Sequence, residues 1–199
     1  MNTIVRNFTV PTPQGKLSVH LTRPEVPRAL IVIIHAGTSL PDATLIADFS
    51  GHPWAILTVD LLTAEESRTH SDEEKAAQLR QRLISVLDFV RNDGDTAGLP
   101  VGFYAVGRAT PAAIRAAAQR DATVRAVVVH GGLIDHAGRE YLEALVAPLL
   151  VLVDPEDANA ERVAHAAFPH LGSPHALYRL ENGDAGSKPA SWFAQWLPE

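Results

Sequence analysis

Residues 3–10 alternate, with Thr3, Val5, Asn7 and Thr9 on one side and Ile4, Arg6, Phe8 and Val10 on the other. Residues 16–22 alternate again after the turn-rich stretch 11–15, and the pair is expected to form an antiparallel hairpin at the edge of a sheet. The pattern then changes to short, continuous apolar runs at 29–34, 54–59, 101–106, 124–129 and 149–153. Apolar runs without alternation belong to strands buried on both faces, as in a parallel sheet.

Helical spacing fills the gaps between these runs. Residues 71–92 carry Leu79, Leu83, Val86, Leu87 and Val90 on one stripe, with Ser71 and Glu74 spaced as a capping box. Thr110 followed by Pro111 reads as an N-cap with proline at the first helical position, ahead of 112–119. Asp157 reads as the N-cap of a helix running to about Phe168. Residues 175–180 read as a last strand, and 189–197 as a closing helix that packs Trp192, Phe193 and Trp196. The order is a hairpin followed by repeated strand–helix units. It predicts a three-layer α/β domain with a mostly parallel sheet, an antiparallel N-terminal hairpin, and ligands beyond the carboxyl ends of the strands.

Composition narrows what such a domain can do. The 199 residues are 46% hydrophobic and 20% charged, the balance of an ordinary globular domain. The turn-rich stretch 92–100 is too short to separate two cores, so one domain over 1–199 is expected. The absence of cysteine excludes a disulfide framework, thiolate zinc sites, iron–sulfur clusters and a cysteine nucleophile. It also fits a reducing compartment, with the cytoplasm as the expected location. A net charge of −6 has the wrong sign for binding nucleic acid through its phosphates. The longest apolar stretches, 29–34 and 144–153, fall short of the roughly 20 residues of a membrane span, and residues 1–6 lead into no apolar signal core. Neither nucleic acid nor membrane is therefore an expected partner, and no oligomeric state is assigned.

In a sheet of this kind, chemistry belongs to the loops that leave the strands: 35–40, 60–66, 107–110, 130–136, 154–159 and 181–188. Every one carries a His, Asp or Arg. Four segments, His35-Ala36-Gly37-Thr38-Ser39, Val59-Asp60-Leu61-Leu62-Thr63, Gly98-Leu99-Pro100-Val101-Gly102-Phe103-Tyr104 and His130-Gly131-Gly132-Leu133-Ile134-Asp135, together with the hairpin, carry a resemblance over nearly the whole chain. The chain resembles a small α/β-hydrolase of the dienelactone hydrolase type.

The resemblance implies a nucleophile elbow of the form G-x-S-x-G, an acid after a later strand, and a histidine near the end. The matching elbow here is Ala105-Val106-Gly107-Arg108-Ala109, which puts Gly107 at the nucleophile position. The acid position matches Asp157, which also stands where a helix N-cap would. The segment that should supply the histidine, Glu181-Asn182-Gly183-Asp184-Ala185-Gly186-Ser187, contains none. By this match the triad is degenerate. Acyl transfer through an enzyme ester needs both a nucleophile and a base, so hydrolysis by the family mechanism is not expected.

What the match leaves is an oxyanion apparatus: the backbone N–H of Arg108 at a helix N-terminus and an N–H from the loop after His35, at Ala36 or Gly37. With the side chains of Arg108, His35, His130 and His136, these form the candidate ligand-binding set, expected to favour a small carboxylate or a lactone-like molecule. A competing reading turns Arg108 to solvent or pairs it with Asp157 or Asp135. No two of the three histidines have the i, i+4 spacing of a helical zinc motif, and neither metal nor cofactor is expected. His20, His52, His70, His165, His170 and His175 lack a companion pattern. The acidic residues around Ser71 read as a solvated helix start.

Three functional readings follow. The first is a non-hydrolytic pseudoenzyme that binds a small, anionic molecule or a protein partner. The second is an enzyme of altered, non-covalent acid–base chemistry, using His35, His130, His136, Arg108 and Asp157 on a substrate such as an enol or β-keto acid. The third is a hydrolase with a relocated nucleophile, Thr38, Ser39 or Thr110, served by His35 or His130. A hydroxyl in a loop or at a helix start more often bonds to local backbone.

Overall fold

A computed structural model describes residues 3–37, 43–62, 66, 72–181 and 184–199. The two alternating segments form strands β1 (Ile4–Thr12) and β2 (Gly15–Arg23), paired antiparallel through a tight turn. The apolar runs form β3 (Ala29–His35), β4 (Trp54–Asp60), β5 (Val101–Val106), β6 (Val124–His130) and β7 (Leu149–Val153), with β8 (His175–Arg179) at the far edge. They make one eight-stranded sheet in the order β1-β2-β4-β3-β5-β6-β7-β8. β2 joins β4 antiparallel, and every later pairing is parallel.

The continuous runs are buried because both sheet faces are covered, and each strand sends alternate residues to two separate cores. Leu30, Val32 and Ile34 of β3 join Phe103 and Ala105 of β5 and Val127 and Val129 of β6 on one face. That face is covered by α2 (Asp72–Val90), α3 (Thr110–Gln119), α4 (Arg139–Ala144) and α5 (Ala158–Ala167). Ile31, Ile33, Tyr104 and Val128 point the other way, against α1 (Ala43–Ser50) and α6 (Asp184–Trp196). Trp54, Phe49 and Phe193 build that second core through edge-to-face contacts. The expected stripe of α2, Leu79, Leu83, Val86, Leu87 and Val90, is buried throughout.

Two polar ties hold the hairpin and the loops to this frame. Arg6 bonds Asp93 at 2.7 Å and also Asp95, and Arg23 bonds Asp95 at 2.6 Å. The Arg6 hydrogen bond is the main reason the Asp95 carboxyl lies below its usual range. Arg82 lies among the apolar positions of α2 with 1% exposure. Its two terminal nitrogens donate to the Leu61 and Gln14 carbonyls and to both carboxylate oxygens of Glu66, which compensates the buried cation.

Several elements depart from the pattern-based expectation. Thr110 is not the N-cap of α3. It is already helical, at φ −51° and ψ −52°, and the cap is Ala109, because a 3-10 turn over Gly107–Ala109 runs straight into the helix. The closing helix starts at Asp184 and contains Pro189, so this proline sits inside the helix where the pattern suggested its first position. Helix α1, the 3-10 segment Ile134–Ala137 and α4 were not expected, since elements this short do not establish a period. Asp157 caps α5 as expected, its carboxylate accepting from Ala160 N at 2.9 Å. Ser71 of the expected capping box lies outside the described residues. Among the described residues, no helix is long and apolar enough to cross a membrane.

Candidate functional site

The turn that leaves β5 lies at the carboxyl edge of the sheet. Val106 is extended (φ −115°, ψ 128°), and the next residue, Gly107, takes φ +53° before the chain enters the 3-10 turn and α3. Among the described residues, positive φ is confined to glycine, as expected where a Cβ would be strained. The Thr110 N–H closes the turn on the Gly107 carbonyl. The Thr110 hydroxyl donates to the Gly131 carbonyl at 2.9 Å, linking the turn after β5 to the loop after β6. Gly132, at φ +78°, packs directly on this turn. A Cβ there would stand 2.9 Å from the Gly107 carbonyl carbon and closer still to its oxygen.

A pocket of about 710 Å³ opens beside the turn, between α2 and α3, lined by Leu79, Gly107, Arg108, Ala112, Leu133 and His136 among others. Its volume lies within the usual range for small-molecule sites. Ala76, Pro111, Gly132 and Arg115 complete the described lining, so the side chains are apolar apart from two arginines and one histidine, with no carboxylate among them. Arg115 donates to the Ala137 carbonyl at 2.7 Å and the His136 carbonyl at 2.8 Å, with its guanidinium 5.4 Å from the Tyr141 ring centroid. It therefore positions the 3-10 segment that carries His136. Arg108 lines the pocket and is exposed.

The expected residues divide among three places. Gly107, Arg108 and His136 meet in this pocket. His35 ends β3 with 3% exposure, and burial holds its imidazole below the ordinary value of 6.5 against an opposing pull from Asp60. Asp60 Oδ1 accepts from the Gly37 and Leu62 N–H groups, each at 2.9 Å, folding the loops after β3 and β4 together. The Gly37 N–H is thus directed at Asp60, not at an incoming anion. Ala36 is fully buried. Thr38, Ser39 and His70 lie outside the described residues, as do positions 182 and 183.

His130 stands in a third place, on the face covered by α1 and α6. Its Nδ1 lies 3.1 Å from the Tyr104 hydroxyl and its Nε2 lies 3.2 Å from Asp154 Oδ1. Among the described residues, no three His, Asp or Glu side chains gather closely enough to hold a metal ion. Thr110, one of the hydroxyls considered as a relocated nucleophile, is fully buried and engaged with Gly131. The Asp157 carboxylate is engaged by its own helix. Sequence reading missed Arg115, Tyr104, Asp154 and the packing role of Gly132. Of these, Gly132 and Asp154 stood in loops already marked as strand exits.

The same architecture recurs in solved structures. A dienelactone hydrolase from Anabaena variabilis superposes with a TM-score of 0.89 and 25% identity over 100% of both chains. A cold-adapted esterase from an Arctic intertidal metagenomic library superposes with a TM-score of 0.79 at 12% identity, over 100% of this chain and 96% of that one. The fold is that of the α/β-hydrolases. The hairpin, parallel strands and two helical layers are what the segment order predicted, and the α/β-hydrolase fold is what the resemblance implied. No family model matches the chain. Two Mycobacterium tuberculosis proteins, from strains CDC 1551 and H37Rv and both named "Putative phosphoribosyl transferase", are each 38% identical to it over 142 residues. The match covers 69% of this chain and 32% of each relative, so the chain matches about a third of their length.

Proposed function

We propose that this chain is an α/β-hydrolase-fold domain that binds a small, anionic ligand in the pocket beside Gly107 and does not hydrolyse it. The observation that carries this reading is Gly107 itself. It holds the positive φ of +53° between β5 and α3, where the family resemblance puts a nucleophile, and it has no side chain to attack with. The segment 181–187, where the resemblance puts the base, contains no histidine, and Asp157 serves as a helix cap. A covalent acyl intermediate needs both missing groups.

The pocket's chemistry supports the ligand class. Among the described lining residues the polar side chains are Arg108, Arg115 and His136, and the others are apolar. The N-terminus of α3 adds the partial positive charge of a helix end. A molecule with an apolar body and a carboxylate or phosphate group matches this lining, and the relatives' name adds sugar phosphates to the candidates.

A thermal-shift series with benzoate, a δ-lactone and ribose 5-phosphate tests the reading. A ligand at a hundred times its dissociation constant stabilises by about 2.7 kcal/mol, which raises the melting temperature of a chain this size by roughly 5 °C or more. The expected result is a shift with at least one anion that Arg108→Ala removes. Absence of any shift, or a shift indifferent to Arg108→Ala, contradicts it.

A further inference from the structure

We infer that the pocket beside Gly107 takes a dicarboxylate with an apolar spacer, receiving one carboxylate at Arg108 and the other at a second anion subsite built by Arg115, Arg80 and Tyr141. The inference rests on the reading of that pocket as an anion site, and adds to it a second charge, a second location and a ligand class. Arg108 and Arg115 stand seven positions apart and both line the pocket, with Pro111 and Ala112 between them in the chain. Seven positions are two turns of helix. The two arginines therefore share one face of α3 and its 3-10 lead, about 10–12 Å apart along the axis. Leu79 and Ala112 offer apolar surface to whatever joins the two ends.

The second subsite holds more cationic donors than the protein itself uses. Arg115 directs Nε–H at the Ala137 carbonyl and Nη2 at the His136 carbonyl, at 2.7 and 2.8 Å. A guanidinium has five N–H donors, so three are left over, and the two neutral carbonyls fix its direction without neutralising it. Its central carbon lies over the Tyr141 ring, 5.4 Å from the centroid. Arg80, on α2, donates from Nη1 to the hydroxyl of the same tyrosine at 3.1 Å. Its Nε is buried with no hydrogen-bond partner among the described residues. Neither arginine is ion-paired with a carboxylate among those residues. Two guanidinium groups from different helices on one tyrosine repel each other, and their unmet donors are costly where water is excluded. A carboxylate beside Arg115 supplies the missing acceptor and the missing negative charge.

The second carboxylate is the discriminating feature. In a pocket with a single cationic end, exchanging the terminal methyl group of a bound fatty acid for a carboxylate weakens binding, since the added charge loses its water. With an uncompensated guanidinium at that end, the same exchange strengthens binding through charge-assisted hydrogen bonds.

Calorimetric titration of the protein with octanoate and suberate, the same carbon chain with one carboxylate and with two, is the test. Suberate should bind about tenfold more tightly, the worth of one hydrogen-bonded charge pair. Arg115→Gln should bring the ratio of affinities to one or below. Arg80→Gln leaves the carbonyl bonds of Arg115 in place, so it probes the subsite without loosening the 3-10 segment, and it should lower the ratio about threefold. Arg125→Gln, at an exposed position of β6, should behave as the parent. Octanoate binding as tightly as suberate, or a suberate preference that survives either substitution, would overturn the inference. In that case an Arg108-dependent thermal shift with benzoate would leave the single-anion reading standing, whereas failure of every anion to bind would remove both.

Discussion

Gly132 lies against the carbonyl of Gly107, so close that a single methyl group on Gly132 would overlap it. Two strand-exit loops that are 25 positions apart in the chain thereby become one rigid floor, fastened by the Thr110 hydroxyl on the Gly131 carbonyl. The contact explains why both positions are glycine: each has positive φ, +53° and +78°, and each presents backbone where a side chain would stand.

Gly132→Ala therefore combines backbone strain with steric overlap. It should cost about 2–4 kcal/mol of stability, read as a lowered urea midpoint with unchanged slope. A loss below about 0.5 kcal/mol would show that the two loops are not packed as described.

Gly107→Ser places a hydroxyl on the elbow but supplies no base. The variant should lose about 1–3 kcal/mol of stability from the strained φ and gain no measurable turnover of p-nitrophenyl acetate. Clear esterase activity from this single change would reveal a base that this account does not contain.

Asp157→Ala removes a cap and not a catalytic acid. The expected cost is about 1 kcal/mol, measured by urea denaturation, with anion-induced thermal shifts preserved relative to the variant's own baseline. A variant of normal stability that no longer binds would reverse that assignment.

His35 gives stability a pH dependence of definite sign. Burial lowers its folded-state value below the ordinary 6.5, so the unfolded chain takes up its proton first as pH falls. The contribution is fully present above about pH 6.5 and is lost progressively below it, toward the lower folded-state value. Urea midpoints collected between pH 5 and 8 should fall on the acid side, and His35→Gln should flatten that part of the curve. An unchanged slope in the variant would assign the acid sensitivity to other groups.

The sequence made the sheet legible because its runs are long, apolar and bounded by turn residues, and the hairpin legible because its alternation is strict. Asp157 was readable as a cap from its position alone. Thr110 misled because Ser, Thr and Asp at a helix start usually cap, whereas here a 3-10 turn begins the helix three residues earlier and the hydroxyl serves a neighbouring loop. The histidines were harder to place. Strand ends at one edge of a sheet look equivalent in sequence, but alternation sends His130 to the α1–α6 side, while His136 reaches the α2–α3 side on a later 3-10 segment. Tyr104 was hidden in an apolar run, where only the partner across the sheet reveals a polar role.

The central claim, a binding pocket with no nucleophile, meets its most direct test in a covalent probe of the unmodified protein. After prolonged incubation with an excess of a fluorophosphonate, intact-protein mass spectrometry should show only the unlabelled chain, since Gly107 offers no oxygen to phosphonylate. Stoichiometric addition of one phosphonyl group, mapped to a hydroxyl lining the pocket, would contradict the claim and mark the protein as a hydrolase with a relocated nucleophile.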